Sequence, residues 1–170
     1  MAEQKTVVIG LASIKIGDIA ADGDMGTVLD VLGDTLEDSC KINFEDAEKT
    51  EFFVEEKDDP FYVEYKLGAI DISFQIPEYT LETVVKVFGG TITGSGANKQ
   101  FNAPNTSVTI EKSLEITPKK GYVMKFPRVS ITGKFTSDIG RKNMLSLDVK
   151  GVVLTPKKDN VSRFMMLPKQ

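Results

Sequence analysis

The sequence predicts a mainly β protein, an antiparallel β-sandwich or barrel with one short flanking α-helix, and three observations support this fold class. Apolar and polar residues alternate with a period of two over much of the chain. Turn-forming residues separate these runs at short intervals. A single segment has helical spacing instead. With 170 residues, of which 41% are hydrophobic, the chain can bury one sizeable core.

The alternating runs predict the individual strands. The clearest run is Ile70–Ile76, where four apolar residues point to one face and three polar residues to the other. A change of phase at Gly151 indicates a bulge in the last long run. Turns are expected at residues 58–60, 118–121 and 138–143. The runs that predict strands are residues 41–45, 61–65, 70–76, 114–117, 122–126, 129–136 and 144–154.

The helical spacing lies just after the clearest strand. Apolar residues at i, i+3, i+4 and i+7 share one face of a helix from about Thr80 to Phe88. Thr80 suits the N-cap, and Gly89 with Gly90 suits a left-handed C-terminus. Because a helix of this length is marginal alone in water, we expect it to be stable only against the sheet. A plain loop is the alternative.

Residues 1–170 are interpreted as a single domain, since the chain has no internal repeat, linker or low-complexity tract. Residues 1–23 contain two short strand-like runs and are expected to form an N-terminal arm that becomes ordered only on assembly. The apolar run at residues 7–12 is interrupted by Gly10, so no export signal is predicted. The single Cys40 agrees with folding in a reducing compartment.

The composition excludes several kinds of catalytic and metal site. The chain has no histidine, which excludes Ser-His-Asp and Cys-His catalysis and histidine-ligated zinc. The glycine-rich residues 90–99 lack the spacing of a phosphate-binding loop and are expected to be a mobile connection. We predict no enzymatic activity and no catalytic, cofactor or metal site. An enzyme that uses carboxylates or a divalent metal, with Asp58 and Asp59 as ligands, is the alternative.

Charge is divided unevenly along the chain, although the net charge is only −4. Residues 37–59 carry ten acids against three lysines, whereas residues 119–169 carry twelve bases against three acids. Opposite surfaces on one subunit attract each other between copies. The alternative is that the two stretches fold side by side and neutralise each other within one subunit. A pI near 5.0 argues against a dedicated nucleic-acid-binding protein.

Several segments follow one another in a distinctive order over roughly residues 26–156. The first segments are residues 26–35, the acidic Glu37-Asp38-Ser39 and the strand at Ile42. The hairpin region of residues 51–59, with its acidic tip, follows. The later segments are the strand of residues 72–76 leading into the helix of residues 80–90, and the stretches 114–119, 125–129 and 153–156. This order resembles that of the major tail tube proteins of long-tailed bacteriophages.

The resemblance implies a β-sandwich or barrel with one helix and a structural function. In that family, subunits close into hexameric rings whose strands line a central channel, and the rings stack into a tube through which DNA passes. The implied partners are copies of the chain itself and other tail proteins, with DNA only in transit and no membrane. The protein would belong to the virion tail and be made in the cytoplasm of the bacterial host. The tube proteins of type VI secretion and contractile injection systems share this fold and are an alternative.

The acidic hairpin and part of the basic stretch are the expected contacts between subunits. Phe52, Phe53 and Val54 are consecutive apolar residues, so at least one of them would face water on an isolated hairpin. The alternative is that the hairpin lies on its own domain and these residues are core. The expected interface residues are Glu51, Phe52, Phe53, Glu55, Glu56, Asp58, Asp59, Arg141, Lys142, Lys157 and Lys158.

Two polar strand faces are the expected lining of the channel. Lys134 and Lys150 fit this lining poorly, because basic side chains would hold the phosphates of passing DNA. An ordinary solvent-facing sheet surface is the alternative. The expected channel-facing residues are Ser130, Thr132, Lys134, Thr136, Ser146, Asp148 and Lys150.

A ligand-binding β-sandwich, such as a carbohydrate-binding module, is the alternative function. Its support is a set of four tyrosines that could stack on sugar rings. The absence of tryptophan and of an export signal argues against it. The tyrosines are Tyr62, Tyr65, Tyr79 and Tyr122.

Overall fold

The computed structural model describes residues 5–170 and has a mainly β fold. These residues form twelve strands, one α-helix and one short 3-10 turn. The expected antiparallel β class with a single helix is confirmed. The elements are β1 (Ile9–Gly17), β2 (Asp30–Val31), β3 (Lys41–Phe44), β4 (Glu48–Phe52), β5 (Tyr62–Lys66), β6 (Ile70–Ile76), α1 (Leu81–Phe88), β7 (Thr91–Thr93), β8 (Gln100–Asn102), β9 (Ile110–Lys120), β10 (Tyr122–Phe135), β11 (Leu147–Val153) and β12 (Met165–Pro168).

Eight strands form one antiparallel sheet in the order β2-β1-β9-β10-β11-β6-β3, with β12 beside β10. Within the described chain this sheet does not close into a barrel, and the fold is β-sandwich-like. β9 pairs with both halves of β10 along one edge of β10. Along its other edge, β10 pairs with two different strands. Residues 122–125 pair there with β12, and residues 129–135 pair with β11. β10 is therefore shared by the two layers of the sandwich.

A bend in β9 and β10 separates the two layers. The register between these strands shifts between Phe126 and Val129, which is the mark of a bulge. Ser113 lies beside this point in β9 and is fully buried. Its Oγ accepts a hydrogen bond from the N–H of Gly26 at 2.8 Å and donates one to the carbonyl oxygen of Pro127 at 2.7 Å. The hydroxyl thus ties the bend to the loop that follows β1.

The two layers enclose a single cluster of buried apolar residues. β6 contributes four alternate residues, all buried, because a period of two places them on the same face of the sheet. Ile14 of β1, Ile116 of β9 and Val149 of β11 belong to the same cluster. The alternation read from the sequence is therefore the pattern that fills the core.

The helix α1 lies on β10, where Val84 and Val87 enter the core. Thr80 is its N-cap, and the Thr80 side chain accepts a hydrogen bond from the N–H of Thr83 at 3.2 Å. Gly89 follows with a φ of 86°, in the region that favours glycine. The predicted helix is confirmed. No helix formed by residues 5–170 is both long enough and apolar enough to cross a membrane.

The glycine-rich residues after α1 form structure of their own, where a mobile connection was expected. They build β7 and a 3-10 turn that leads into β8, and β7 pairs with β8. Phe101 of β8 packs edge-on against Phe88 of α1, with the ring centroids 5.9 Å apart. This aromatic contact packs the hairpin of β7 and β8 against α1.

Part of the expected N-terminal arm forms β1 of the main sheet. Ile9–Gly17 pair with β9, and both Ile14 and Ile16 are buried in the core. Their alternation with polar residues points them to the inner face, so β1 belongs to the subunit's own sheet. Residues 1–4 of the expected arm lie outside the described residues.

Replacing Ser113 with alanine should destabilise the fold. The substitution leaves the buried carbonyl of Pro127 and the N–H of Gly26 without their partner, which costs about 1–3 kcal/mol. Urea unfolding followed by circular dichroism measures the difference. Ser107→Ala, at an exposed serine, is the matched control and should unfold like the wild type. Equal stability of the two variants would contradict the assigned role of Ser113.

Candidate functional site

A β-hairpin projects from one end of the main sheet. β3 and β6 pair up to Phe44 and Ile70, and β4 and β5 continue from Glu48 opposite Lys66. Three residues separate the two paired regions on each strand, so the register is the same on both sides of the break. From Phe44 to Phe52 the strand covers roughly 25 Å. We call residues 48–66 the acidic hairpin.

The acidic hairpin leaves its aromatic side chains in water. β4 and β5 pack on each other and make no substantial contact with another strand or helix of the described chain. Phe53 is 58% exposed and Phe61 69% exposed, and Phe52, Tyr62 and Tyr65 are exposed as well. The alternative that places Phe52 and Phe53 in the core is therefore wrong. An isolated two-stranded hairpin is only marginally stable in water, and an exposed apolar patch of this kind marks an interaction surface.

The acidic hairpin also carries an excess of negative charge. Residues 48–66 contain seven acids and three lysines. Glu51 forms an ion pair with Lys49 of the same strand. The remaining acids of the expected interface form no ion pair within residues 5–170, and they are Glu55, Glu56, Asp58 and Asp59.

The four basic residues expected at the interface do not form one surface. Arg141 and Lys142 lie in the exposed loop before β11, whereas Lys157 and Lys158 follow that strand at its other end. Lys158 is also occupied within the subunit, with its Nζ 2.8 Å from the Oδ2 atoms of Asp22 and Asp24. Lys158 therefore has acidic partners within its own subunit, and its contact with a neighbouring copy stays a prediction.

The acidic hairpin and the Arg141–Lys142 loop extend from opposite ends of one layer. β6 runs from Ile70, beside the hairpin, to Ile76. Ile76 pairs with Leu147, the first residue after that loop. The alternative of neutralisation within one subunit therefore does not apply to these two segments.

Most of the expected channel-facing residues share one polar sheet surface. Thr132 pairs with Lys150 and Lys134 with Asp148, and the Lys134 Nζ lies 4.0 Å from the Asp148 Oδ2. Ser130 continues the same face of β10. β6 and β3 extend this surface with residues that the expectation did not include, namely Asp71, Ser73, Gln75, Lys41 and Asn43. We call this surface the polar face.

Two of the expected channel residues are not on the polar face. Ser146 is only 3% exposed and precedes β11, so it cannot line a channel. Thr136 follows the end of β10 and is half-buried. Its Oγ1 accepts a hydrogen bond from the N–H of Ser146 at 2.9 Å. The two residues close the end of the sheet because the regular alternation stops there.

The four tyrosines do not form a common stacking surface for a sugar. Tyr62 and Tyr65 are three residues apart on β5 and therefore point to opposite faces of the hairpin. Tyr79 packs against Phe135 at the other end of the main sheet, and its hydroxyl donates to the carbonyl oxygen of Leu145 at 3.1 Å. Tyr122 begins β10, away from both.

Comparison with known proteins identifies no family for this chain. No family model matches it, and no curated protein matches it either. The function is therefore argued from the acidic hairpin and the polar face themselves.

Replacing Lys158 with methionine should reduce stability at neutral pH but not in acid. Hydrogen bonds from Lys158 hold the pKa of Asp22 and of Asp24 below the usual value. Carboxylates with a lowered folded-state pKa stabilise the fold above the unfolded-state pKa of about 4, and this contribution is lost as the pH falls through the folded-state pKa. The difference from wild type should be small, because all three groups are exposed, and should vanish in acid.

Thermal unfolding between about pH 7 and pH 3 measures this dependence. Lys157→Met removes the neighbouring exposed lysine, which forms no ion pair within residues 5–170, and is the matched control. A Lys158→Met deficit that persists unchanged in acid would show that the pair with Asp22 and Asp24 is not its cause.

Proposed function

We propose that this protein is a non-enzymatic structural subunit that assembles with copies of itself into stacked rings of a tail tube, through which DNA passes. The observation that carries the proposal is the acidic hairpin, whose aromatic residues are exposed and whose strands make no substantial contact with another strand or helix of the described chain. Its function is to dock on a sister subunit. The tail-tube assignment, the hexameric ring and the location in a virion tail rest on the resemblance of the sequence to tail tube proteins.

The position of the hairpin suits stacking. The hairpin leaves one end of the layer formed by β6, β11 and the second half of β10, while the Arg141–Lys142 loop leaves the other end. A contact that joins unlike surfaces of identical subunits repeats from copy to copy and does not need to stop at a dimer. Growth of a tube requires contacts of this kind.

The charge of the polar face is compatible with the wall of a channel through which DNA passes without being retained. It carries Lys41, Lys134 and Lys150 against Asp71 and Asp148, so its net charge is close to neutral. Strong phosphate contacts would retain the DNA, and Asp148, which pairs opposite Lys134, weakens such contacts. This pairing answers the objection that Lys134 raises in the sequence, whereas Lys150 lies opposite Thr132 and Ser73.

Removing the tip of the acidic hairpin should abolish assembly and leave the subunit folded. Phe52 pairs with Tyr62, so an Asn-Gly turn can replace residues 53–61 as a two-residue hairpin loop. Circular dichroism checks the fold. Negative-stain microscopy and light scattering of concentrated protein, together with micrographs of particles from cells that make the variant, measure assembly. Wild-type protein should give rings or tubes.

A matched control shortens the other small hairpin in the same way. Thr93 pairs with Gln100, so Asn-Gly can replace residues 94–99. This variant should assemble like the wild type. Tubes formed by protein without the tip of the acidic hairpin would contradict the proposal.

Adding positive charge to the polar face should make assembled tubes retain DNA. Thr132→Lys with Asn43→Lys places two further cations on exposed positions of this face. Each new phosphate contact should steepen the dependence of log affinity on log salt by about 0.9. Ser162→Lys, at an exposed position outside the sheet, is the control. Equal DNA retention by both variants would argue against a channel-facing position.

A further inference from the structure

Three segments that are distant in the sequence meet at the turn between β9 and β10. Ile9 of β1 pairs with Lys120, and Pro168 of β12 pairs with Tyr122. Val8 lies directly against the turn, because a Cβ added to Gly121 would be 2.7 Å from the Val8 Cα. The start of β1, the end of β9 and the end of β12 therefore present one continuous surface.

This surface combines exposed apolar residues with lysines. Val7 is 64% exposed and Ile9 63% exposed. The Nζ of Lys169 lies 3.2 Å and 3.1 Å from the carbonyl oxygens of Pro118 and Lys119, which holds the C-terminal segment to the turn. We call this surface the basic patch, and its residues are Val7, Val8, Ile9, Lys119, Lys120, Met166, Leu167 and Lys169.

The lysines of the basic patch are not neutralised by the described chain. Lys119, Lys120 and Lys169 form no ion pair within residues 5–170. Lys125, further along β10, differs in this respect, because its Nζ lies 3.6 Å from the Oε2 of Glu115. The patch therefore has both apolar area and positive charge that remain free for a partner.

A cleft of about 800 Å³ begins beside the basic patch. Leu11, Ile116 and Met124 lie along it. One side is the edge of β1 from residue 9 to residue 13, which has no strand partner among residues 5–170 because β2 pairs there with Lys15 and Ile16. A strand of another molecule can add to such an edge. The other wall carries Asp34, Glu37 and Asp38, so an acidic partner would enter from the lysine side.

We infer that the basic patch is the surface on which the acidic hairpin of a second copy docks. The inference rests on the proposed self-assembly and names the contact that produces it. The hairpin has an excess of four negative charges over residues 48–66 and exposed aromatic rings. The patch has unpaired lysines beside exposed aliphatic side chains. The two surfaces have opposite charge, and each also offers exposed apolar side chains for contact.

The Arg141–Lys142 loop is a weaker acceptor for the hairpin. Its two cations lie close in sequence to Asp138, and its large exposed apolar residues are Ile139 and Met144. The basic patch offers more unpaired lysines, more exposed apolar residues and a cleft beside them. Because one chain carries both the hairpin and the patch, the contact passes from each copy to the next.

A charge-swap experiment tests the inference. Variant A carries Glu55→Lys and Glu56→Lys in the hairpin, and variant B carries Lys119→Glu and Lys120→Glu in the patch. Each variant alone faces like charges across the contact and should need at least about tenfold more protein to assemble. In a mixture the hairpin of A meets the patch of B, and the hairpin of B meets the patch of A, so assembly should recover. Sedimentation velocity measures it, and circular dichroism checks that the exposed substitutions leave the fold intact.

Arg141→Glu with Lys142→Glu makes the same change of charge in the weaker acceptor and should impair assembly less than variant B does. Cross-linking gives a second readout. In a Cys40→Ser background, Phe53→Cys with Val8→Cys should give a ladder of linked multimers with a short bismaleimide. Phe53→Cys with Ile139→Cys should give no larger cross-linked multimers than Phe53→Cys alone.

The outcomes separate this inference from the proposed function. If loss of the hairpin tip abolishes assembly while variant B assembles normally, the docking surface is wrong and self-assembly stands. If wild-type protein forms no rings or tubes, either alone at millimolar concentration or in particles from cells, both fail. If short duplex DNA or vesicles of anionic lipid bind wild type but not variant B, and assembly is unchanged in B, the patch serves a polyanion and the inference is overturned.

Discussion

The sharing of β10 between the two layers is the constraint on which the rest of the structure depends. One edge of the strand pairs with β9 on both sides of the bulge, and the other edge is divided between β12 and β11. A bulge and the buried hydroxyl of Ser113 fix the bend between the halves. Because of this bend, the first half of β10 leads to the basic patch and the second half carries part of the polar face.

The acidic hairpin has a different physical basis. It continues the β3–β6 register beyond the edge of the core, so its backbone hydrogen bonds are satisfied while its aromatic side chains remain exposed. Such a strand pair is stable as an extension of the sheet because its backbone hydrogen bonds are formed. Its exposed apolar side chains remain available to bind another subunit. This combination is what allows the hairpin to act between subunits.

The fold clusters many of the acidic residues but disperses the basic residues. Those acidic residues are concentrated on the projecting acidic hairpin. The bases are dispersed: Arg128 donates two hydrogen bonds of 2.9 Å to Glu111, and Lys158 pairs with two aspartates. Lys119 and Lys120 have no such partner among residues 5–170. The basic surface available to another molecule is therefore much smaller than the linear sequence suggests.

The sequence by itself determined the local elements, because each depends on residues a few positions apart. The alternation of Ile70–Ile76 predicted a strand with one buried face, and Thr80 with the i, i+3, i+4 spacing predicted the helix. The run of Phe52 and Phe53 correctly indicated that the hairpin exposes apolar side chains. Only the tertiary structure decided that β1 belongs to the sheet, that Ser146 is buried and that Lys158 is neutralised by residues 134 and 136 positions away. These outcomes depend on which strands become neighbours, and no local pattern encodes the order of strands in a sheet.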